Sequence, residues 1–193
     1  MHPMAFSIDN GKTALNSGET MNQDDPQVGI IMGSDSDWSV MQRCASQLDK
    51  LGVVYEVNVI SAHRTPNRCH EYAGTAAARG LKVLIAAAGM SAALGGVCAA
   101  NSVLPVIGVP IASGPLNGFD ALLSTAMMPP GVPVAAVAVG EAGATNAAIL
   151  AVQILATADP ACREKIEQHK REMAEAVEKK NRALADKLKQ GGA

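Results

Sequence analysis

Five short apolar runs, separated by segments with helical periodicity, restrict the fold of this chain more than any other feature. The runs are Val28–Met32, Val53–Ile60, Lys82–Ala88, Val106–Ile111 and Val134–Val139. Four of them are nearly continuous in apolar residues, the pattern of parallel strands covered on both faces. Val53–Ile60 reads VVYEVNVI and alternates, which predicts an edge strand. Between the first two runs, Asp37–Leu51 sets Val40, Met41, Cys44, Leu48 and Leu51 on one helical face, with Ser36 as the predicted N-cap and Gly52 as the stop. Pro66–Arg79 predicts a helix capped by Thr65 and ended at Gly80. Ala92–Asn101 and Gly143–Ala158 predict Ala-rich helices, and Leu116–Thr125 a short one. Strand and helix in alternation mean an open parallel α/β sheet. The strand order 2-1-3-4-5 covers both faces through right-handed crossovers.

The core of such a sheet must be built from small and aliphatic side chains, because apolar residues make up 48% of the 193 but aromatic ones only 3%. Residues 1–26 are polar without a sustained period and read as a flexible tail, and residues 27–158 read as the α/β domain. Asp159-Pro160 breaks the pattern before a charged segment, 159–193, that predicts a long helix over Ala161–Gln190. Its Ile166, Met173, Val177, Leu184 and Leu188 form a thin apolar stripe. That stripe suits either a solvated helix on its own subunit or one that reaches a neighbouring subunit. The second reading is preferred, because the Ala-rich core helices also leave outer faces suited to subunit contacts.

Composition excludes several classes. The net charge is −2, with no basic run outside the C-terminal helix, so no phosphate-tracking surface for nucleic acid is present. No apolar run is long enough to span a membrane, and the N-terminus has no secretory apolar region. Cys44, Cys69, Cys98 and Cys162 fall in no CxxC or zinc spacing, so reduced thiols in a cytoplasmic protein are expected, with no metal.

Ligands of an open α/β sheet bind outside the carboxyl ends of the strands, and four such ends carry unusual residues. After the first strand, Gly33-Ser34-Asp35-Ser36-Asp37 opens a helix whose backbone N–H groups suit a phosphate. Asp37 suits sugar hydroxyls, since carboxylates repel phosphate; a plain helix cap is the competing reading. After the second strand, Ser61, Ala62, His63 and Arg64 stand together. The guanidinium suits a phosphate and the imidazole a proton transfer near neutral pH; a plain surface histidine on a loop is the competing reading. His70 lies inside a helix and reads as an exposed polar residue. After the third strand, the small-residue turn Ala88–Gly96, with Gly89, Ser91 and Leu94, lets backbone approach a planar ligand. After the fourth, Ser113–Gly118 reads as a polar, adjustable loop over the site. These residues define a phosphate-bearing small molecule and one acid/base histidine, and they do not name a reaction.

The segments GSDSDW, SAHRTP, PVIGVP and GATNAAILAVQIL resemble, in order and over residues 27–157, the catalytic subunit family of phosphoribosylaminoimidazole carboxylase. The resemblance implies a three-layer α/β sandwich with a flavodoxin-like or Rossmann-like sheet, and a homo-octamer with shared sites. It implies substrate contacts at Ser34 and Asp37, acid/base chemistry at His63 and phosphate binding at Arg64. The implied substrate is carboxyaminoimidazole ribonucleotide, with CO2 as the transferred unit and no cofactor. The commonest branch moves a carboxylate within that nucleotide, as a mutase of purine biosynthesis; a sister branch carboxylates aminoimidazole ribonucleotide with CO2. The run VIGVP matches the mutases, whereas Met90-Ser91-Ala92-Ala93-Leu94 resembles the sister branch and has Ala93 where mutases carry a histidine. The mutase is the preferred expectation, ahead of the direct carboxylase and a non-catalytic nucleotide-binding paralogue.

Overall fold

The fold follows from a computed structural model that describes residues 25–190. The expected tail thus lies outside the described residues except for Asp25 and Pro26. Strands β1 (Val28–Met32), β2 (Tyr55–Val59), β3 (Val83–Gly89), β4 (Val106–Ile111) and β5 (Ala135–Ala136) form one parallel sheet in the order β2-β1-β3-β4-β5. Helices α1 (Trp38–Lys50), α2 (Pro66–Thr75), α3 (Leu94–Asn101), α4 (Phe119–Ala126), α5 (Glu141–Leu155) and α6 (Pro160–Gln190) accompany the sheet among the described residues. The described residues divide into two compact units, with the boundary between Ala151 and Val152. The whole sheet belongs to the first.

Alternation along the strands separates two apolar layers. Ile31, Leu84, Ala86 and Val106 share one face and join Cys69 and Ala73 of α2 and Leu94 and Cys98 of α3 in a single buried cluster. Ile30, Ile85 and Ile107 point the other way and are fully buried as well. All four cysteines are free and buried. The Cys69 and Cys98 sulfurs stand 4.0 Å apart inside the cluster.

The edges of the sheet behave differently from its centre. β2 is half-buried, as its alternating sequence predicts for an edge. The fifth run departs from expectation: instead of a buried strand over Val134–Val139, only Ala135 and Ala136 are regular, and both are exposed. Pro110 supplies the reason. Gly108 and Pro110 turn their carbonyls toward β5, accepting from Val137 and Gly140. Pro110 has no N–H to return, so the ladder stops there.

Helix ends also differ from the sequence reading. Ser36 does not cap α1; Ser34 caps a short 3-10 turn, Asp35–Asp37, that leads into it. Thr65 makes no cap bond to α2. Its hydroxyl instead donates to the Ser61 carbonyl and accepts from the Ser61 N–H. Gly52 and Gly80 adopt the left-handed conformation at the expected stops. In α6, Met173, Val177, Leu184 and Leu188 remain exposed.

Small residues set how closely helices approach the sheet. A methyl group on Gly108 of β4 would overlap the Thr125 side chain of α4 and crowd Val134. One on Gly95 of α3 would lie 3.3 Å from Val134 and 4.0 Å from the Gly108 Cα. Gly108→Ala is therefore expected to destabilise the protein by about 1–3 kcal/mol. Gly74→Ala, in α2 with only an ordinary 3.6 Å contact, should stabilise it by up to about 1 kcal/mol through helix propensity. Urea midpoints of the two variants against the parent check both signs.

Candidate active site at the carboxyl ends of the strands

Parallel strands deliver their carboxyl ends to one edge of the sheet, and a cleft of about 430 Å³ opens there. Every candidate site residue named from the sequence lines it: Gly33, Ser34, Ser36 and Asp37 after β1, Ser61, Ala62, His63 and Arg64 after β2, and Gly89, Ser91 and Leu94 after β3. Ala88, Met90, Ala93 and Ser113 line it too. Of the loop after β4, Ser113 is the residue that reaches it among those described.

The segment after β1 is bound into a capping box. The Ser34 N–H donates to Asp37 Oδ2 at 3.1 Å, and the Ser36 N–H donates weakly to Ser34 Oγ at 3.4 Å. Asp35 Oδ1 accepts from the Ser34 hydroxyl at 3.1 Å and from the Ser36 N–H at 3.0 Å. The turn thus holds its own donors in an ordered array, and the Ser36 hydroxyl donates to Ser34 Oγ at 2.9 Å where both residues line the cleft. Asp37 differs from Asp35 in being buried, at 5% exposure. Burial raises its pKa above the ordinary carboxylate value and the negative Asp35 adds to this; the Ser34 hydrogen bond and the positive Arg64 oppose it.

Arg64 joins two strand ends. Its Nη2 donates to the Gly33 carbonyl at 2.9 Å, its backbone N–H donates to Ser61 Oγ at 3.1 Å, and its Nε makes a long 3.4 Å contact with the same hydroxyl. The Thr65 hydroxyl closes the other side of this turn on the Ser61 backbone. Ser61 is therefore a positioning residue here as well as a cleft residue. His63 lies on this braced turn, and its exposed imidazole makes no hydrogen bond among the described residues. His70 faces elsewhere and pairs with Asn101 Oδ1.

The ends of β3 and β4 interlock through glycines. A side chain on Gly89 would coincide with the Ser113 hydroxyl, and one on Gly114 would come within 3.3 Å of Met90 Cγ. Each turn is bare where the other projects. Met90 itself has φ 54, a left-handed backbone outside glycine. Backbone conformation and the return of a distant loop mark Met90 and Ser113 as cleft residues, and neither signal is visible in a local motif.

The family described as AIR carboxylase matches residues 27–176. The N5-carboxyaminoimidazole ribonucleotide mutase of Pseudomonas aeruginosa is 53% identical over 150 residues, covering 78% of this chain and 92% of that protein. The protein of the same name from Pyrococcus horikoshii is 50% identical over 167 residues, covering 86% of this chain and 93% of the other. Among solved structures, Treponema denticola PurE superposes with a TM-score of 0.75 at 28% identity, over 82% of this chain and 98% of that one.

Asp37 has a consequence for stability. A raised folded pKa means that the ionised carboxylate opposes folding above that pKa, and the penalty falls away as pH drops toward the unfolded value. Asp37→Asn keeps an oxygen for the Ser34 N–H and removes the charge. Its Tm at neutral pH should be unchanged or raised by about 1–4 °C, and the gap to the parent should close on acidification. A Tm scan across pH checks this; a large drop at neutral pH would mean that the carboxylate's bonds outweigh its burial.

Proposed function

We propose that this chain, which belongs to the AIR carboxylase family, is an N5-carboxyaminoimidazole ribonucleotide mutase of purine biosynthesis. One observation carries the chemistry: His63 and Arg64 share a single cleft with the Ser34–Asp37 turn and the Gly89–Leu94 turn. The first turn and Arg64 offer donors and positive charge for the nucleotide phosphate. The buried carboxylate of Asp37 accepts from ribose hydroxyls. Small residues from Gly89 to Leu94 allow backbone to lie against the imidazole ring, with Ser91 as a hydroxyl partner.

The reaction then needs a proton carrier and a closed space. The bond between the exocyclic nitrogen and the carboxylate carbon breaks, CO2 departs, and His63 as imidazolium protonates that nitrogen. The electron-rich ring attacks CO2 from C4 and forms the new carbon–carbon bond. C4 is now tetrahedral and carries an extra proton, which neutral His63 removes to restore aromaticity. One proton is given and one regained; nothing is oxidised or reduced, so the balance calls for no redox cofactor. Keeping CO2 beside the ring makes the second step unimolecular, a large advantage over capture from solution. A histidine on the turn after β2, braced by Ser61 and Thr65, is suited to serving both atoms in succession.

The assembly belongs to the same reading: a homo-octamer in the cytoplasm, where four free thiols remain reduced. Exposed Phe119 and Leu123 on α4, Met127 just after it, and the exposed apolar stripe of α6 support subunit contacts.

The test gives the pure protein N5-carboxyaminoimidazole ribonucleotide without bicarbonate in one cuvette, and aminoimidazole ribonucleotide with dissolved CO2 in another. Fast formation of the C4-carboxylated nucleotide only in the first is expected. Conversion only in the second would mean that the Met90–Leu94 turn makes this a direct carboxylase, and silence in both would leave a binding protein. His63→Asn should lower kcat about 10²–10⁴-fold with a smaller change in KM.

A further inference from the structure

We propose that the Met90 side chain is the apolar wall that retains CO2 in the cleft between its release and its recapture, an inference that rests on the mutase reading. Among the described residues, only Met90 and Asn117 combine a side chain with positive φ, at 54° and 51°. Asparagine tolerates that conformation through local hydrogen bonding, whereas methionine gains nothing from it. The chain uses glycine at Gly52, Gly80, Gly118, Gly131 and Gly140, the other positions of this kind. A turn that only had to reverse direction would use glycine at 90 as well. Strain held at a ligand cleft points to a use for the side chain.

That use follows from where the side chain lies. Strand order sets the polar groups of the cleft, Ser34, Asp37, His63 and Arg64, at the ends of β1 and β2, and the small apolar ones at the end of β3. Met90 stands at the β3 end, half-exposed at 56%, and its Cγ lies against Gly114 of the loop after β4. The same two turns meet again where Ser113 occupies the space that a side chain on Gly89 would take. Its carbonyl is held by the Ala92 N–H at 2.9 Å, so the backbone that aims the side chain is fixed. CO2 is neutral and has no anchor of its own in such a cleft. It stays only where a wall blocks its path to water, and a flexible thioether is well shaped to fill an irregular opening.

The test supplies N5-carboxyaminoimidazole ribonucleotide in buffer with ¹³C-bicarbonate and carbonic anhydrase, beside an enzyme-free control. The parent should give C4-carboxylated product with an unlabelled carboxylate. Met90→Gly, which suits the left-handed backbone and should keep the parent Tm, is expected to raise both the label in the product and the yield of free aminoimidazole ribonucleotide at least about fivefold. Met90→Leu keeps the bulk and should stay near the parent in both. Unlabelled product with no excess of free aminoimidazole ribonucleotide from Met90→Gly overturns the role of Met90 while leaving the mutase intact. A parent that makes no product from this substrate, or makes only labelled product, overturns the mutase reading itself and this inference with it.

Discussion

A parallel sheet has one carboxyl edge, and everything chemical in this protein depends on that. Four strands of the same direction bring their terminal turns to one cleft, although the turns are separated by tens of residues in the chain. The register makes the arrangement rigid. Met32 pairs with Val59 on one side and Ala87 on the other, so the turns that follow start from nearly one level. Hydrogen bonds then extend the order beyond the strands: the Gly33 N–H donates to Ala87, and Arg64 returns a bond to the Gly33 carbonyl.

Stability and function compete within this edge. Burial opposes the ionised form of Asp37, yet the Ser34 N–H holds that carboxylate in place at the cleft. Met90 occupies a backbone region that favours glycine. Gly89 gives up a side chain so that Ser113 can enter. None of these choices improves packing alone, and all three lie on the cleft. Such departures from local preference concentrate where a site must be built. The sheet interior, by contrast, is made of fully buried aliphatic residues such as Ile30, Ile85 and Ile107.

Much of this was legible in the residues themselves. Apolar runs predicted β1 and β4 to the residue, and the alternating VVYEVNVI marked β2 as an edge. The strand order followed from right-handed crossovers. The fifth strand was overread, because an apolar run does not reveal that the facing Pro110 cannot return a hydrogen bond. Ser36 and Thr65 looked like caps because their residue types favour that role, but a capping box chose Ser34, and the Ser61 backbone offered Thr65 a better partner.

By itself the sequence determined the α/β class, the places of the first four strands and the motifs after β1, β2 and β3, because periodicity and turn chemistry are local properties. It also carried the family, since GSDSDW and SAHRTP are contiguous. Tertiary structure alone decided that Ser113 enters the space left by Gly89, that Arg64 reaches Gly33, and that Met90 lies against Gly114. Those contacts join residues distant in sequence whose meeting depends on strand register and helix approach, and no local pattern encodes them.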